Sequence, residues 1–304
     1  VEEMDDILEE HLRALGVACL GKEVVPRIGE FSPDVLLDIQ SRLAERGWPC
    51  GTPDRRPAAR PAIPDAAGAV DGLPGRPPVL CPGCPHRGLF YALSRFDVIV
   101  AGDIGCYSLG MLRPLDRLDT LLCMGAGVTA AHGMQKAGEP RKLVGIVGDS
   151  TFFHSGITGL LDVVYTRGAS VILVADNRTT AMTGHQDHPG TGRTLMGDET
   201  REALVEDVAR GVGVKRVRVI DPYDLDNTYN VLKEELDADE PSVVVSKRAC
   251  VLGARIKTER QYSVIDDYCK ACGACLKLGC PAIEIGDPDP DNPVGAGCGD
   301  CLRA

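Results

Sequence analysis

The sequence predicts an α/β protein with a doubly wound, mostly parallel sheet, followed by a small cysteine-rich C-terminal domain. Three observations lead to this prediction. Between residues 80 and 250, short apolar runs alternate with amphipathic segments, several of which end at glycine as helices do. A proline-rich segment precedes this region, and six of the 13 cysteines lie between residues 269 and 301.

The N-terminal part is predicted to be separate from the sheet. Residues 1–50 are interpreted as the end of an upstream domain, and residues 1–48 as helical, because VEEMDDILEEHLRAL carries apolar residues at helical spacing. Residues 51–79 hold seven prolines and almost no large apolar residue, which predicts an extended linker. The chain begins at Val1 and stops within a cysteine motif, so we expect it to be part of a longer chain.

The central domain, residues 80–258, is predicted to alternate strands with helices. The predicted strands are DVIVAGD (97–103), LDTLLCMG (118–125), KLVGIVGD (142–149), SVILVADN (170–177), VKRVRVID (214–221) and SVVVSK (242–247). The predicted helices are AGVTAAHGMQKAG (126–138), SGITGLLDVVYTRG (155–168), ETREALVEDVARG (199–211) and DLDNTYNVLKEELDA (224–238). Strands and helices in series form parallel sheets, which bind ligands beyond the carboxyl ends of their strands.

Composition excludes several classes of function. A hydrophobic fraction of 44% and a charged fraction of 25% are ordinary for a globular protein, and the net charge of -11 argues against a nucleic-acid surface. There is no long apolar run to span a membrane and no signal peptide at the start, so a cytoplasmic protein is expected. An odd number of cysteines in such a protein makes a disulfide framework the weaker interpretation.

Polar residues follow two of the predicted strands. Asp149 ends the strand in IVGDSTFFHSG, and Asn177 ends the next strand 28 residues later. Neighbouring strand ends would bring a carboxylate and an amide oxygen together, and such ligands suit Mg²⁺ that also binds phosphate oxygens. Gly148 would allow a phosphate close to the backbone, and the helix beginning near Ser150 would present its N-terminus to it. A diphosphate held through Mg²⁺ is the expected ligand.

This arrangement resembles the thiamine-diphosphate signature, usually GDG followed by NN. Ser150 stands where the signature has its third residue, glycine, and Asp176 stands in place of the first asparagine. The resemblance implies that Mg²⁺ is bound by the Asp149 carboxylate, the Asn177 side chain and the Thr179 carbonyl oxygen. It also implies that the backbone after another strand contacts the pyrimidine ring, at Met124, Gly125 and Ala126.

The C-terminal cysteines have a spacing typical of iron–sulfur proteins. Cys269, Cys272, Cys275 and Cys280 form C-x2-C-x2-C-x4-C-P, one residue longer before the last cysteine than the usual bacterial ferredoxin motif. A structural zinc site is the alternative. Cys298 and Cys301 match the second and third ligands of a further repeat. A ferredoxin-type [4Fe-4S] domain is therefore predicted over residues 259–304, truncated at its end.

Six ordered motifs resemble the large, thiamine-binding subunit of indolepyruvate:ferredoxin oxidoreductase: CPGCPHRG, GDIGCYSLG, CMGAGVTAAHG, GIVGDSTFFHSG, DNRTTAMTGHQ and the cysteine-rich tail. The resemblance implies oxidative decarboxylation of aryl 2-oxoacids to aryl-acyl-CoA, with electrons passed through iron–sulfur clusters to ferredoxin. It also implies coenzyme A as acyl acceptor and a smaller beta subunit as partner. No catalytic residue is assigned, because the glutamate that activates thiamine is expected upstream of Val1.

The wider 2-oxoacid:ferredoxin oxidoreductase family also holds an iron–sulfur cluster near thiamine. Its four ligand positions match Cys81, Cys84, Cys106 and Cys250 by order and context, although buried, redox-inert thiols are the alternative. The neighbouring Arg87 is interpreted as a partner for an anion or as a surface residue. His185 and His188 are candidate substrate or cofactor contacts.

Two other functional classes remain open. A non-oxidative thiamine-dependent decarboxylase or synthase would share the diphosphate site, but it would not need the cysteine-rich tail. An electron-transfer module would share the tail, but it would not need a diphosphate site. Another 2-oxoacid:ferredoxin oxidoreductase is the nearest alternative, because the sequence does not identify the preferred 2-oxoacid.

Overall fold

The structure, a computed structural model, describes residues 6–29, 31–49, 78–255, 265, 268–270 and 272–283. The chain divides into two units, Val1–Gly75 and Arg76–Ala304. Almost all of the expected linker, 51–79, lies outside the described residues, and so do Cys298 and Cys301. No helix among the described residues is long and apolar enough to cross a membrane.

The first unit contains two helices, α1 (Ile7–Ala14) and α2 (Pro33–Glu45). The prediction of helix throughout 1–48 was wrong, because residues 15–29 and 31–32 lie outside both helices. Helix α1 ends next to Gly16, whose φ of 73° is a left-handed conformation that favours glycine and terminates helices. Helix α2 starts after Ser32, whose side chain accepts a hydrogen bond from the Val35 N–H.

The second unit is built on a sheet of six strands. They are β1 (Val98–Gly102), β2 (Thr120–Leu121), β3 (Lys142–Gly148), β4 (Val171–Asp176), β5 (Arg216–Ile220) and β6 (Ser242–Lys247). Their order is β2-β1-β3-β4-β6-β5, and every neighbouring pair is parallel. All six predicted strands therefore occur, although β2 is much shorter than the predicted 118–125.

Among the described residues of the second unit, one helix precedes the first strand, and the others connect the strands. They are α3 (Pro85–Leu93), α4 (Ala126–Lys136), α5 (Asp149–Thr151), α6 (Ile157–Tyr165), α7 (Val205–Gly211) and α8 (Leu225–Asp237). A π-helix, Phe152–Gly156, joins α5 to α6, and 3-10 helices occupy Cys106–Met111 and Cys275–Leu278. The predicted helix at 199–211 was too long, because α7 begins only at Val205 and Glu199 instead pairs with Arg193 in an isolated bridge. Helix α3 was not predicted.

Both faces of the sheet are covered. Side chains of β4 alternate between the faces, so Leu173 packs with α3 and α8, whereas Ile172 and Val174 pack with α4, α6 and α7. All six residues of β4 are buried, as expected for a parallel strand with helices on both sides. These contacts confirm the doubly wound α/β architecture.

The order of the strands determines where a ligand can bind. The connection from β1 leads outward to β2, and the chain then returns to β3 on the other side of β1. In open α/β sheets, such a reversal leaves a crevice beyond the carboxyl ends of the two strands. Here the crevice lies between the loops that follow β1 and β3.

Candidate functional site

A cavity of about 100 Å³ occupies this crevice. Loops after four strands, β1, β2, β3 and β4, contribute to its lining. The lining includes six of the seven residues predicted to bind the cofactor: Met124, Gly148, Asp149, Ser150, Asn177 and Thr179. The seventh, Gly125, is next to Met124 and begins the turn into α4. The structure therefore brings the predicted diphosphate residues together.

Asp149 has one carboxylate oxygen free to bind a cation. The residue follows β3 directly and is buried. Its Oδ1 accepts a hydrogen bond from the Ser150 N–H at 2.8 Å. Its Oδ2 lies 3.2 Å from His188 Nε2, but neither atom has a hydrogen-bond partner among the described residues. A buried carboxylate oxygen that makes no hydrogen bond fits a site for a divalent cation.

His188, a predicted cofactor or substrate contact, lies beside this carboxylate and is itself buried. Its Nδ1 accepts a hydrogen bond from the Gly190 N–H at 3.1 Å. In a neutral imidazole whose Nδ1 is an acceptor, the proton resides on Nε2. His188 therefore presents an N–H group toward Asp149. The other predicted histidine, His185, is exposed and has a φ of 66°.

Asn177 approaches the cavity from the end of β4. Its Nδ2 lies 3.4 Å from His86 Nε2, and its Oδ1 accepts a hydrogen bond from the Thr179 N–H at 3.3 Å. Burial lowers the pKa of His86 to about 4, although the negative charge of Asp149 opposes this shift. The imidazole is consequently neutral at pH 7, and its Nε2 can accept a hydrogen bond from the amide.

Asp176 places a second buried carboxyl group beside Asp149. Burial raises the pKa of Asp176 to about 6; the charge of Asp149 adds to the rise, and Arg178 opposes it. Asp176 also accepts a hydrogen bond from the Arg178 N–H at 3.0 Å, and its Oδ2 lies 3.9 Å from Lys247 Nζ. Asp149 and Asp176 end neighbouring strands, since Gly148 pairs with Ala175. Two adjacent carboxylates favour either a shared proton or a cation between them. In the sequence, Asp176 was recognisable only as a departure from the thiamine-diphosphate signature.

Asp103, in the motif GDIGC, was not predicted as a site residue. It is fully buried and accepts hydrogen bonds from the Gly125 N–H at 2.6 Å and from the Tyr107 hydroxyl. Burial raises the pKa of Asp103 to about 7, against the opposing effect of the Gly125 hydrogen bond. Asp103 thus positions Gly125, which has a left-handed φ of 89°. The available signal was an aspartate that directly follows a strand and lies between Gly102 and Gly105.

Tyr107 explains why residue 148 lacks a side chain. A Cβ atom on Gly148 would lie 2.8 Å from the Tyr107 ring, closer than such contacts normally come. The same ring packs edge-on against His86, with ring centroids 6.1 Å apart. Gly148 was predicted to make room for a phosphate, and in this structure the space beside it is occupied by the tyrosine.

Cys81, Cys84, Cys106 and Cys250 share one neighbourhood and are all partly buried. Burial raises the pKa of Cys84 to about 12, with a smaller contribution from Cys81 and Cys106. Burial also raises the pKa of Cys106, and the nearby thiols of Cys250 and Cys81 add to this rise. Among the described residues, however, no three His, Cys, Asp or Glu side chains are arranged to hold a metal ion. Cluster binding by this set stays a prediction.

Most of the predicted ferredoxin-type domain, 259–304, lies outside the described residues. Cys269, Cys272 and Cys275 are exposed, and Cys280 is half-buried. Within the described part of this segment, the structure has one regular element, the 3-10 helix Cys275–Leu278. A ferredoxin-like fold is thus neither seen nor contradicted in the part that the structure describes.

The chain is similar to known proteins over its whole length. Residues 103–246 match the family described as "Thiamine pyrophosphate enzyme, C-terminal TPP binding domain". The chain is 36% identical to "Indolepyruvate oxidoreductase subunit IorA" of Pyrococcus horikoshii and 35% identical to that of Archaeoglobus fulgidus. Both alignments cover 100% of this chain, which spans about half the length of these relatives (51% and 50%).

A solved structure shares the fold. The "2-oxoglutarate:ferredoxin oxidoreductase from Magnetococcus marinus with 2-oxoglutarate, coenzyme A and succinyl-CoA bound" superposes with a TM-score of 0.51 at 18% identity. The superposition covers 64% of this chain and 77% of that chain. At this identity the likeness concerns the fold, and it agrees with the parallel sheet described above.

Proposed function

We propose that this chain forms the cofactor-binding part of a 2-oxoacid:ferredoxin oxidoreductase, because it is 36% identical over its whole length to an indolepyruvate oxidoreductase subunit IorA, of which it covers 51%. The proposed substrates are aryl 2-oxoacids of the indolepyruvate type, and the proposed product is an aryl-acyl-CoA. Electrons would pass through iron–sulfur clusters to ferredoxin. A smaller beta subunit is proposed to complete the enzyme.

The buried Oδ2 of Asp149, which makes no hydrogen bond among the described residues, is the observation that carries this proposal. It lies at the cavity that Asn177 and Thr179 also line, within the region that matches the thiamine pyrophosphate-binding family. Asp149, the Asn177 side chain and the Thr179 carbonyl would together hold Mg²⁺, which binds hard oxygen ligands and phosphate oxygens. When bound, thiamine diphosphate supplies the nucleophilic carbon and the electron sink that decarboxylation of a 2-oxoacid requires.

Residues of this chain would orient the cofactor. Asp103 holds the Gly125 N–H at 2.6 Å and so fixes the backbone beside Met124, where the pyrimidine ring is proposed to lie. Neutral His86 supports the Asn177 amide from the side away from the solvent, since His86 is buried. The N-terminus of α5, extended through the π-helix into α6, would face the diphosphate.

The cysteines are proposed to carry the electrons. The Cys250 N–H donates a hydrogen bond to the Asn177 carbonyl at 2.8 Å, so the last thiol of the Cys81, Cys84, Cys106 and Cys250 set lies next to the proposed magnesium loop. A cluster there would be close to the cofactor. The tail cysteines, including Cys298 and Cys301, are proposed to bind further [4Fe-4S] clusters.

The proposal is tested with the full-length subunit, produced anaerobically with its small partner subunit. Thiamine diphosphate and iron are quantified, and reduction of a dye is assayed with indolepyruvate, phenylpyruvate, pyruvate and 2-oxoglutarate. We expect both cofactors to bind and the aryl 2-oxoacids to be preferred. Bound thiamine without iron would instead support a non-oxidative decarboxylase, and iron without thiamine would support an electron carrier.

A variant isolates the magnesium site. Asp149→Asn keeps the shape of the side chain but removes its charge, so Mg²⁺-dependent binding of thiamine diphosphate, followed by calorimetry, should weaken at least tenfold. Asp226→Asn, on the exposed side of α8, is the matched control and should bind as the wild type does. Equal affinity in both variants would contradict the assignment of Asp149.

A further inference from the structure

Arg87 is a buried cation whose partners are backbone carbonyls. It lies in the first turn of α3, just after the CPGC loop, and only 4% of it is exposed. Its Nε donates to the Cys81 carbonyl at 3.1 Å, and its Nη2 donates to the Leu80 carbonyl. Its Nη1 donates to the Leu278 carbonyl at 3.2 Å and to the Gly279 carbonyl. The surface alternative for Arg87 was therefore wrong, while its pairing with an anion stays a prediction.

These four carbonyls belong to two distant parts of the chain. Leu80 and Cys81 form the loop that carries the first cysteine pair, whereas Leu278 and Gly279 directly precede Cys280 of the tail. The sequence separation across Arg87 is 191 residues to Leu278. One guanidinium group therefore holds the two cysteine motifs together.

The contact of Arg87 with the two cysteine motifs, called the junction below, has a specific backbone geometry at Gly279. Its φ of 66° is a left-handed conformation, which non-glycine residues adopt at a cost. A Cβ atom at this position would lie 2.7 Å from Pro114 Cδ and 3.2 Å from Arg87 Nη1. The chain reversal before Cys280 thus fits closely between Arg87 and Pro114.

The buried charge of Arg87 indicates which groups would surround it when iron–sulfur clusters are bound. Carbonyl oxygens satisfy its N–H groups but do not neutralise it, and a buried cation without a counter-charge is costly. Burial lowers the pKa of Arg87, whereas the negative charges that Cys280, Cys84 and Cys81 can carry raise it. Thiolates that ligate iron would supply this counter-charge from both motifs. The donor type of these side chains fits iron–sulfur clusters.

From these contacts we propose that Arg87 is a positioning residue that ties the segment carrying Cys280 to the loop carrying Cys81 and Cys84. This proposal rests on the proposed function and deepens it. With clusters bound, the junction would set the distance that a single electron crosses between a cluster at the loop cysteines and a cluster at the tail cysteines. No bond is formed or broken in this step, and ferredoxin is the acceptor that later removes the electron. Arginine suits this role because its planar group offers five donors, whereas lysine has a single point of attachment.

The test uses the full-length subunit with its partner subunit, in the variants Arg87→Gln and Arg87→Lys. Arg95→Gln is the matched control, because Arg95 lies just beyond the end of α3, is exposed and contacts the ring and hydroxyl of Tyr91. Hydrogen exchange of the amides at 276–280 and the rate of Cys280 alkylation are measured on iron-free protein. Electron paramagnetic resonance of the reduced, iron-loaded protein measures magnetic coupling between the clusters.

We expect both Arg87 variants to increase exchange and alkylation at least tenfold, and the control to leave them unchanged. Magnetic coupling should weaken in both Arg87 variants, and lysine should not restore it. Wild-type exchange, alkylation and coupling in Arg87→Gln would overturn the proposal. If Arg87→Gln does not fold, the same measurements are made on Gly279→Ala, which disturbs the junction from the tail side. Absence of iron would refute the proposed function, while the iron-free measurements would still decide the role of Arg87.

Discussion

The buried carboxyl group of Asp103 should make the stability of the second unit depend on pH. Its pKa is raised from 3.8 to about 7 by burial, so the folded protein binds this proton more tightly than the unfolded chain does. Stability is therefore greatest when the group is protonated and falls as the pH rises from about 4 to about 7. At about 1.4 kcal/mol for each pH unit, the ionised carboxylate costs roughly 4 kcal/mol.

Asp103→Asn removes this cost while preserving the geometry. The asparagine Oδ1 can accept from the Gly125 N–H, and its Nδ2 can donate to the Tyr107 hydroxyl oxygen. Between pH 5 and pH 8 the variant should gain roughly 3 kcal/mol in free energy of unfolding relative to the wild type. Urea denaturation followed by circular dichroism at both pH values measures this gain.

Comparing Asp103→Asn with the wild type separates the effect of Asp103 on stability from that of other titrating groups. The raised pKa of Asp176, about 6, contributes to the pH dependence of both proteins and cancels in their difference. Asp226→Asn, at an exposed position, should follow the wild type at both pH values. If the stability difference between Asp103→Asn and the wild type is the same at pH 5 and pH 8, the burial argument is refuted.

Two further predictions concern the packing around the sheet. Glu235→Gln should lower the free energy of unfolding by about 2 kcal/mol, because buried Glu235 accepts two hydrogen bonds from Arg216, at 2.7 and 3.1 Å. Its neighbour Glu234→Gln is the exposed control, and equal losses would contradict the prediction. Leu160→Ala should cost about 3 kcal/mol in the same assay, since Leu160 of α6 is fully buried against the sheet. A loss similar to that of exposed Leu161→Ala would show that this core is not closely packed.

The sequence alone was sufficient to predict the α/β class and that Asp149 and Asn177 lie at the same edge of the sheet. Both are local properties. The apolar runs have strand length, and each polar residue follows its strand directly. Because β3 and β4 are parallel neighbours, with Gly148 opposite Ala175, their ends necessarily meet at one edge of the sheet. The family resemblance rested on the same local motifs, and the relatives confirmed it.

The tertiary structure decided which loops converge on that edge. His188 lies 39 positions after Asp149 in the sequence, and Asp103 reaches Gly125 across 22 residues; neither spacing follows from a helix or strand period. Arg87 is the extreme case, because its guanidinium contacts carbonyls 191 and 192 residues away. Periodicity and motif spacing describe neighbours along the chain, whereas burial and charge depend on groups that only folding brings together.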